Sequence, residues 1–167
     1  MNPLVLTLQL EPAVQQRFDA ERTRLFPPGR TQVGAHITLF HALPGEHEPN
    51  LTADLAETTR RPSFDLAVSA LMPLGRGVAY RVVSTALDRL QAELQRRWAP
   101  WLTRQDSQGY RAHITVQNKV DPTLARRTLA DLAQTFQPFV TRATGLDLWE
   151  YQGGPWLHRT SFLFADN

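Results

Sequence analysis

Two histidines stand in identical surroundings, Ala35-His36-Ile37-Thr38 and Ala112-His113-Ile114-Thr115, each followed by an aliphatic residue, Leu39 or Val116. The chain's only two isoleucines both lie inside these tetrapeptides, so packing alone is a poor account of the match. Side chains on a strand alternate with period two, and His-x-Thr therefore puts an imidazole and a hydroxyl on one face. Two such strands lining one cleft supply what displacement at a phosphodiester needs: a base, an acid and neutral donors for the phosphate oxygens. Attacking water must lose a proton and the departing ribose oxygen must gain one. One neutral imidazole and one imidazolium do both near neutrality, where histidine titrates. The threonine hydroxyls would hold the non-bridging oxygens.

Other residues are weighed against that pair. Arg111 precedes His113 by two residues, while the matching position before His36 is Gly34. If the strand continues, Arg111, His113, Thr115, Gln117 and Lys119, the only lysine, share one polar face that suits a solvent cleft. Arg111 and Lys119 are therefore expected to hold an anionic substrate. A guanidinium beside His113 disfavours its protonation, which points to His113 as base and His36 as acid. Tyr151 and Trp156 flank the turn Gly153-Gly154-Pro155 and are suited to stacking on a base, whereas Tyr80 reads as core. His41, five residues after His36, is expected on the opposite face in a structural role. His47 falls in the polar stretch Pro44 to Asn50, read as a solvated loop, and His158 shares a strand face with Trp156 and Thr160. Metal ligation has no supporting pattern, since there is no HExxH and no cysteine pair. The histidine-triad hydrolase pattern of alternating histidines also fails, because Thr38 and Thr115 occupy the second positions. Gly75-Arg76-Gly77 reads as a hairpin turn.

The elements that must position these groups repeat. His36 reaches Pro62 after 26 residues and His113 reaches Pro138 after 25, and each proline opens an alternating apolar run, Phe64 to Leu74 and Phe139 to Trp149. Between motif and proline lies a helical stretch, Asn50 to Arg61 in one half. In the other, Asp121-Pro122 caps a helix with Ala125, Leu129, Leu132 and Phe136 on one side. Upstream, Leu4, Leu6, Leu8 and Leu10 alternate before a helix from Pro12 carrying Val14, Phe18 and Leu25. In the second half Val78, Tyr80 and Val82 alternate before Ser84 caps a helix striped by Leu87, Leu90, Leu94 and Trp98. Each half reads strand, helix, motif strand, helix, strand, and Trp156 to Phe164 closes the chain. The expectation is a single domain over residues 1–167 with pseudo-repeats at about 1–75 and 76–167.

Composition sets limits. A chain of 167 residues with 42% apolar content buries a substantial core, and a net charge of +2 permits an anionic substrate without announcing a nucleic-acid binder. There is no cysteine, so disulfides and thiolate metal sites are excluded and a reducing compartment is acceptable. The N-terminus lacks a basic region ahead of its short apolar run and reads as a strand, not a signal peptide. No stretch reaches the length of a membrane span. The chain is read as a cytoplasmic monomer.

The paired His-x-Thr-aliphatic motifs, their separation and the internal duplication are similar to the 2H phosphoesterase superfamily, specifically its 2'-5' RNA ligase-like branch. The resemblance spans nearly the whole chain. Arg76 to Arg81 (RGVAYR), His113 to Lys119 (HITVQNK) and Tyr151 to Trp156 (YQGGPW) resemble a bacterial subgroup of it. The resemblance implies an α+β fold of two lobes, with antiparallel sheets lining a central cleft and helices packed outside. It further implies metal- and cofactor-free chemistry on 2',3'-cyclic phosphates or 2'-5' linkages of RNA ends or small cyclic nucleotides, ADP-ribose cyclic phosphate included. Carried over, the motif marks His36 and His113 as catalytic and Thr38 and Thr115 as phosphate donors. The alternative is a non-catalytic module that keeps the cleft to hold an RNA end or nucleotide phosphate.

Overall fold

Leu4, Leu6, Leu8 and Leu10 bury one face of β1 (Leu4–Leu10), the first strand of a computed structural model that describes residues 1–31 and 33–166. The chain continues through α1 (Pro12–Leu25), β2 (Ile37–Leu43), α2 (Glu48–Thr58) and β3 (Phe64–Pro73). It then runs through β4 (Val78–Val83), α3 (Thr85–Arg97), β5 (His113–Gln117), α4 (Pro122–Ala133), β6 (Phe139–Tyr151) and β7 (Trp156–Leu163). The order strand, helix, motif strand, helix, strand occurs twice before β7. The expected caps form: the Ser84 hydroxyl accepts from the Leu87 N–H, and the Asp121 carboxylate accepts from the Thr123 N–H with proline next in line. Pro44 to Asn50 departs from the expected loop. A 3-10 turn over Gly45–His47 leads straight into α2, and the His47 ring stacks on Trp101 with centroids 4.1 Å apart.

The strands form one antiparallel sheet in the order β2-β1-β6-β3-β4-β5, with β7 added on β6. Residues 139–143 of β6 pair with β3, and residues 143–151 pair with β1 and β7. One strand thus belongs to both lobes, β2-β1-β6-β7 and β6-β3-β4-β5. The third strand of each half joins the other half's pair. β2 and β5 end the strand order, yet the sheet curls until they touch. Helices cross over too: α1 lies on β5, and from α3 and its C-cap Gln91 and Trp98 reach Leu39 and Phe40 of β2. The β3–β4 connection is the expected hairpin, with Gly75 at φ +79° and the Leu74 N–H donating to Gly77 O at 2.9 Å. Tyr80 is core as expected, packed on Phe18 and bonded to the Glu21 carboxylate.

Both motif strands bulge immediately after the threonine. On β2, Leu6 faces Phe40 while Thr7 faces Thr38, leaving Leu39 as the extra residue; Leu39 and Phe40 are both buried. On β5, Val78 faces Gln117 while Ala79 faces Thr115, leaving Val116 extra; Val116 and Gln117 are both buried. A bulge inserts one residue without advancing the ladder and so reverses the alternation beyond it. Two expectations built on unbroken parity change. His41 returns to the Thr38 side instead of the opposite one. Gln117 leaves the His113 face, donates to Thr128 Oγ1 at 2.9 Å, and ends the strand.

Candidate active site

α1 holds both motifs through one stripe of polar side chains, Gln15, Asp19 and Arg22. Asp19 Oδ1 accepts from the Ala35 N–H at 2.7 Å, and Gln15 Nε2 donates to Ala35 O at 2.7 Å. The residue before His36 is thus gripped on both sides of its backbone. Arg22, 8% exposed, donates to Thr31 Oγ1 at 3.0 Å and Val33 O at 3.1 Å ahead of the first motif. Its Nη1 donates to Thr115 O at 2.8 Å inside the second. Burial lowers the Arg22 pKa from its usual value, and the neighbouring Asp19 offsets part of this. Sequence reasoning misses Arg22, although it continues the apolar stripe of Val14, Phe18 and Leu25. An arginine at a core position of a helix is the signal that could have found it.

The two histidines are latched alike. His36 Nδ1 lies 2.8 Å from Gly34 O, and His113 Nδ1 lies 2.9 Å from Arg111 O. A carbonyl can only accept, so each Nδ1 carries the proton and each Nε2 is left free for chemistry. His36 is half-buried, with its ring against Trp156 at 4.7 Å between centroids. Burial pushes its pKa down to about 4. The bond to Gly34 works the other way, and the nearby charges of Arg22, His41 and His113 add to the lowering.

Two cavities adjoin these groups. The larger, about 840 Å³, is walled by His36, Trp149 and Trp156, with Gln9, Asp19 and Asp147 among its polar lining. Trp149 is fixed by its Nε1 donating to Thr7 Oγ1 at 2.9 Å and stands 6.1 Å from Trp156. The smaller, about 310 Å³, is lined by Thr38, His41, Arg111 and His113. The Thr38 and Thr115 side chains are half-buried, and their hydroxyls make no hydrogen bond among the described residues. Thr115 lines neither cavity.

Of the remaining expected residues, Arg111 is exposed at the smaller cavity and forms no ion pair among the described residues. Trp156 lies directly on His36. Tyr151, 40% exposed at the end of β6, lines neither cavity. Lys119 requires correction: β5 stops at Gln117, and Lys119 sits exposed in the following turn at φ +63°, so the strand face that recruited it does not reach it. His158 packs edge-on against Trp149 and bonds to Asp147 and Ser161. The asymmetry at Gly34 has a cause, since a Cβ there would lie 2.7 Å from Asp19 Oδ1. No group of three or more His, Asp or Glu among the described residues is arranged to hold a metal ion. No helix among them is long and apolar enough to cross a membrane.

The fold is shared with solved structures. A solved structure described as a phosphoesterase matches with a TM-score of 0.65 at 17% identity, covering 99% of each chain. The protein TT0787 of Thermus thermophilus matches with a TM-score of 0.69 at 17% identity over 97% of each chain. E. coli LigT complexed with 3'-AMP matches with a TM-score of 0.63 at 18% identity over 99% of each. A search of curated proteins by sequence finds no match. The family model of the 2'-5' RNA ligase superfamily matches residues 10–155, and the chain belongs to that family.

Proposed function

We propose that this chain is a two-histidine phosphoesterase that opens 2',3'-cyclic phosphates of RNA ends or small nucleotides, with reversible 2'-5' ligation, in which a ribose 5'-hydroxyl takes the place of water, as its close variant. The observation that carries this reading is the shared latch, which leaves a free Nε2 on His36 and on His113. With a pKa near 4, His36 is neutral at physiological pH and fits the base. That reverses the order expected from Arg111. Water gives its proton to His36 Nε2 as its oxygen bonds to phosphorus. The P–O bond to one ribose oxygen breaks, and His113 Nε2 delivers a proton to that oxygen. Solvent then returns both rings to their starting states. Thr38 and Thr115 hydroxyls donate to the non-bridging oxygens, and Trp156 packs against one side of the His36 ring. The ligand class agrees with the 3'-AMP in the LigT structure.

The test is a product assay on a panel of a 2',3'-cyclic mononucleotide, an RNA ending in cyclic phosphate, a 2'-5' dinucleotide and ADP-ribose cyclic phosphate. Opening of at least one, abolished in His36→Ala and His113→Ala, supports the reading. Tight binding of these compounds with no turnover would favour the non-catalytic module instead.

A further inference from the structure

We propose that His41, held by the buried Asp106, is a third imidazole of the cleft and forms with Arg111 a subsite for a second phosphate of the substrate. This rests on the nucleotide-directed reading above. The β2 bulge returns His41 to the Thr38 side, where both line the smaller cavity with Arg111 and His113. Its side chain is half exposed, and its Nδ1 lies 3.2 Å from Asp106 Oδ1. A carboxylate there fixes Nδ1 as the donor and leaves Nε2 with no partner among the described residues.

Asp106 is fully committed. Its carboxylate accepts from the backbone N–H of His41 at 2.8 and 3.0 Å and of Ala42 at 2.9 Å, besides the His41 ring. Burial would raise its pKa, but these bonds outweigh burial and the net shift is downward, which keeps the carboxylate charged. These bonds from two backbone N–H groups already pin the segment around Asp106 to β2, so the ring contact is not needed for that attachment.

The two cavities differ in charge. The larger has carboxylates, Asp19 and Asp147, and no arginine or lysine in its lining. The smaller has His41, Arg111 and His113, and its one carboxylate, Asp106, is occupied by N–H donors. An uncharged base suits the aromatic side and a second anion suits the basic side. For a nucleotide whose 3'-phosphate sits at the two motif histidines, that anion is the phosphate on its own 5'-oxygen. Its source is either a free 5'-monoester or the diester of an RNA chain.

Calorimetric titration of the intact protein at pH 6.5 with adenosine 3'-monophosphate, adenosine 3',5'-bisphosphate and the dinucleotide ApAp tests the proposal. Wild type should bind the bisphosphate about tenfold more tightly than the monophosphate, the scale of a charge-assisted hydrogen bond. In His41→Gln and His41→Asn the ratio should fall to near one. A matching gain for ApAp identifies an RNA chain as the source, and a gain confined to the bisphosphate identifies a free nucleotide. Binding of both mononucleotides without preference in wild type overturns the subsite, as does a preference that survives in folded His41 variants. A purely structural His41 would lower Tm and leave the ratio intact. Failure of all three ligands to bind wild type would overturn the nucleotide reading, and this inference with it.

Discussion

The indole of Trp156 lies against the imidazole of His36, ring centroids 4.7 Å apart and planes inclined at 52°. Trp149 backs Trp156 at 6.1 Å, so the free nitrogen of His36 works beside an aromatic wall. Since burial is the main cause of the low His36 pKa, Trp156→Ala should hydrate the ring and move its titration from about 4 towards 6.5. NMR titration of the His36 ring and the acidic limb of the kcat/KM profile both read this. A titration that stays near 4 in the variant would mean that Arg22 and the other histidines, not the indole, set it.

Removing either histidine of the proposed acid–base pair should cost about 10²–10⁴-fold in kcat/KM. The His36→Ala, His113→Ala double variant should lose far less than the product of the two, because acid and base act in one transition state. Thr38→Ala and Thr115→Ala each remove one donor and should lose less than either histidine variant. Independent, multiplicative losses would mean that the two rings do not serve one reaction. Wild-type activity is expected to survive EDTA.

Protonation of His36 should also cost stability. Its folded pKa of about 4 lies below the ordinary 6.5, so the unfolded chain binds the extra proton between those values. The contribution is complete above about pH 6.5 and is lost as the pH falls through about 4. Urea midpoints for wild type should fall across this window, and less steeply for His36→Asn. Parallel curves for the two proteins would assign the loss to other groups.

Arg22→Met should be among the costly single changes. It takes the guanidinium donor from Thr115 O, while Val33 O keeps the Thr31 hydroxyl, at about 1–3 kcal/mol in urea unfolding. It also removes a charge that depresses His36, so the ring's pKa should rise. Stability loss without any change in the His36 titration would separate the tether from the electrostatics.

Lys119 offers the opposite case. At φ +63° a residue with a Cβ is strained, and Lys119→Gly should stabilise by up to about 1 kcal/mol. KM should move by less than about twofold, since Lys119 lines neither cavity. A larger rise in KM would return Lys119 to the substrate.

The order of elements is legible in the sequence because caps, prolines and apolar periods agree at each boundary, Ser84 and Asp121 being the clearest. The motif residues are legible as a repeated tetrapeptide. What escapes are features that break a period. The adjacent apolar pair Leu39-Phe40 marks a bulge, yet a two-residue alternation carries no register, so parity alone puts His41 on the wrong side. Val116-Gln117 hides its bulge better, because the buried second residue is polar. Arg22 and Asp106 act through long-range partners, Thr115 and His41, whose proximity follows from the curl of the sheet and from no local pattern.

β6 is thirteen residues long and hydrogen-bonded in both lobes. Two-body closure around a ligand requires a few connecting residues free to absorb a large change in φ and ψ. Here the connection is a strand of the sheet itself, and swinging one lobe would tear ladder bonds to β1, β3 or β7. The two lobes are therefore held as one body, and discrimination among ligands is expected to rest on the shape and charge already present on the cleft walls.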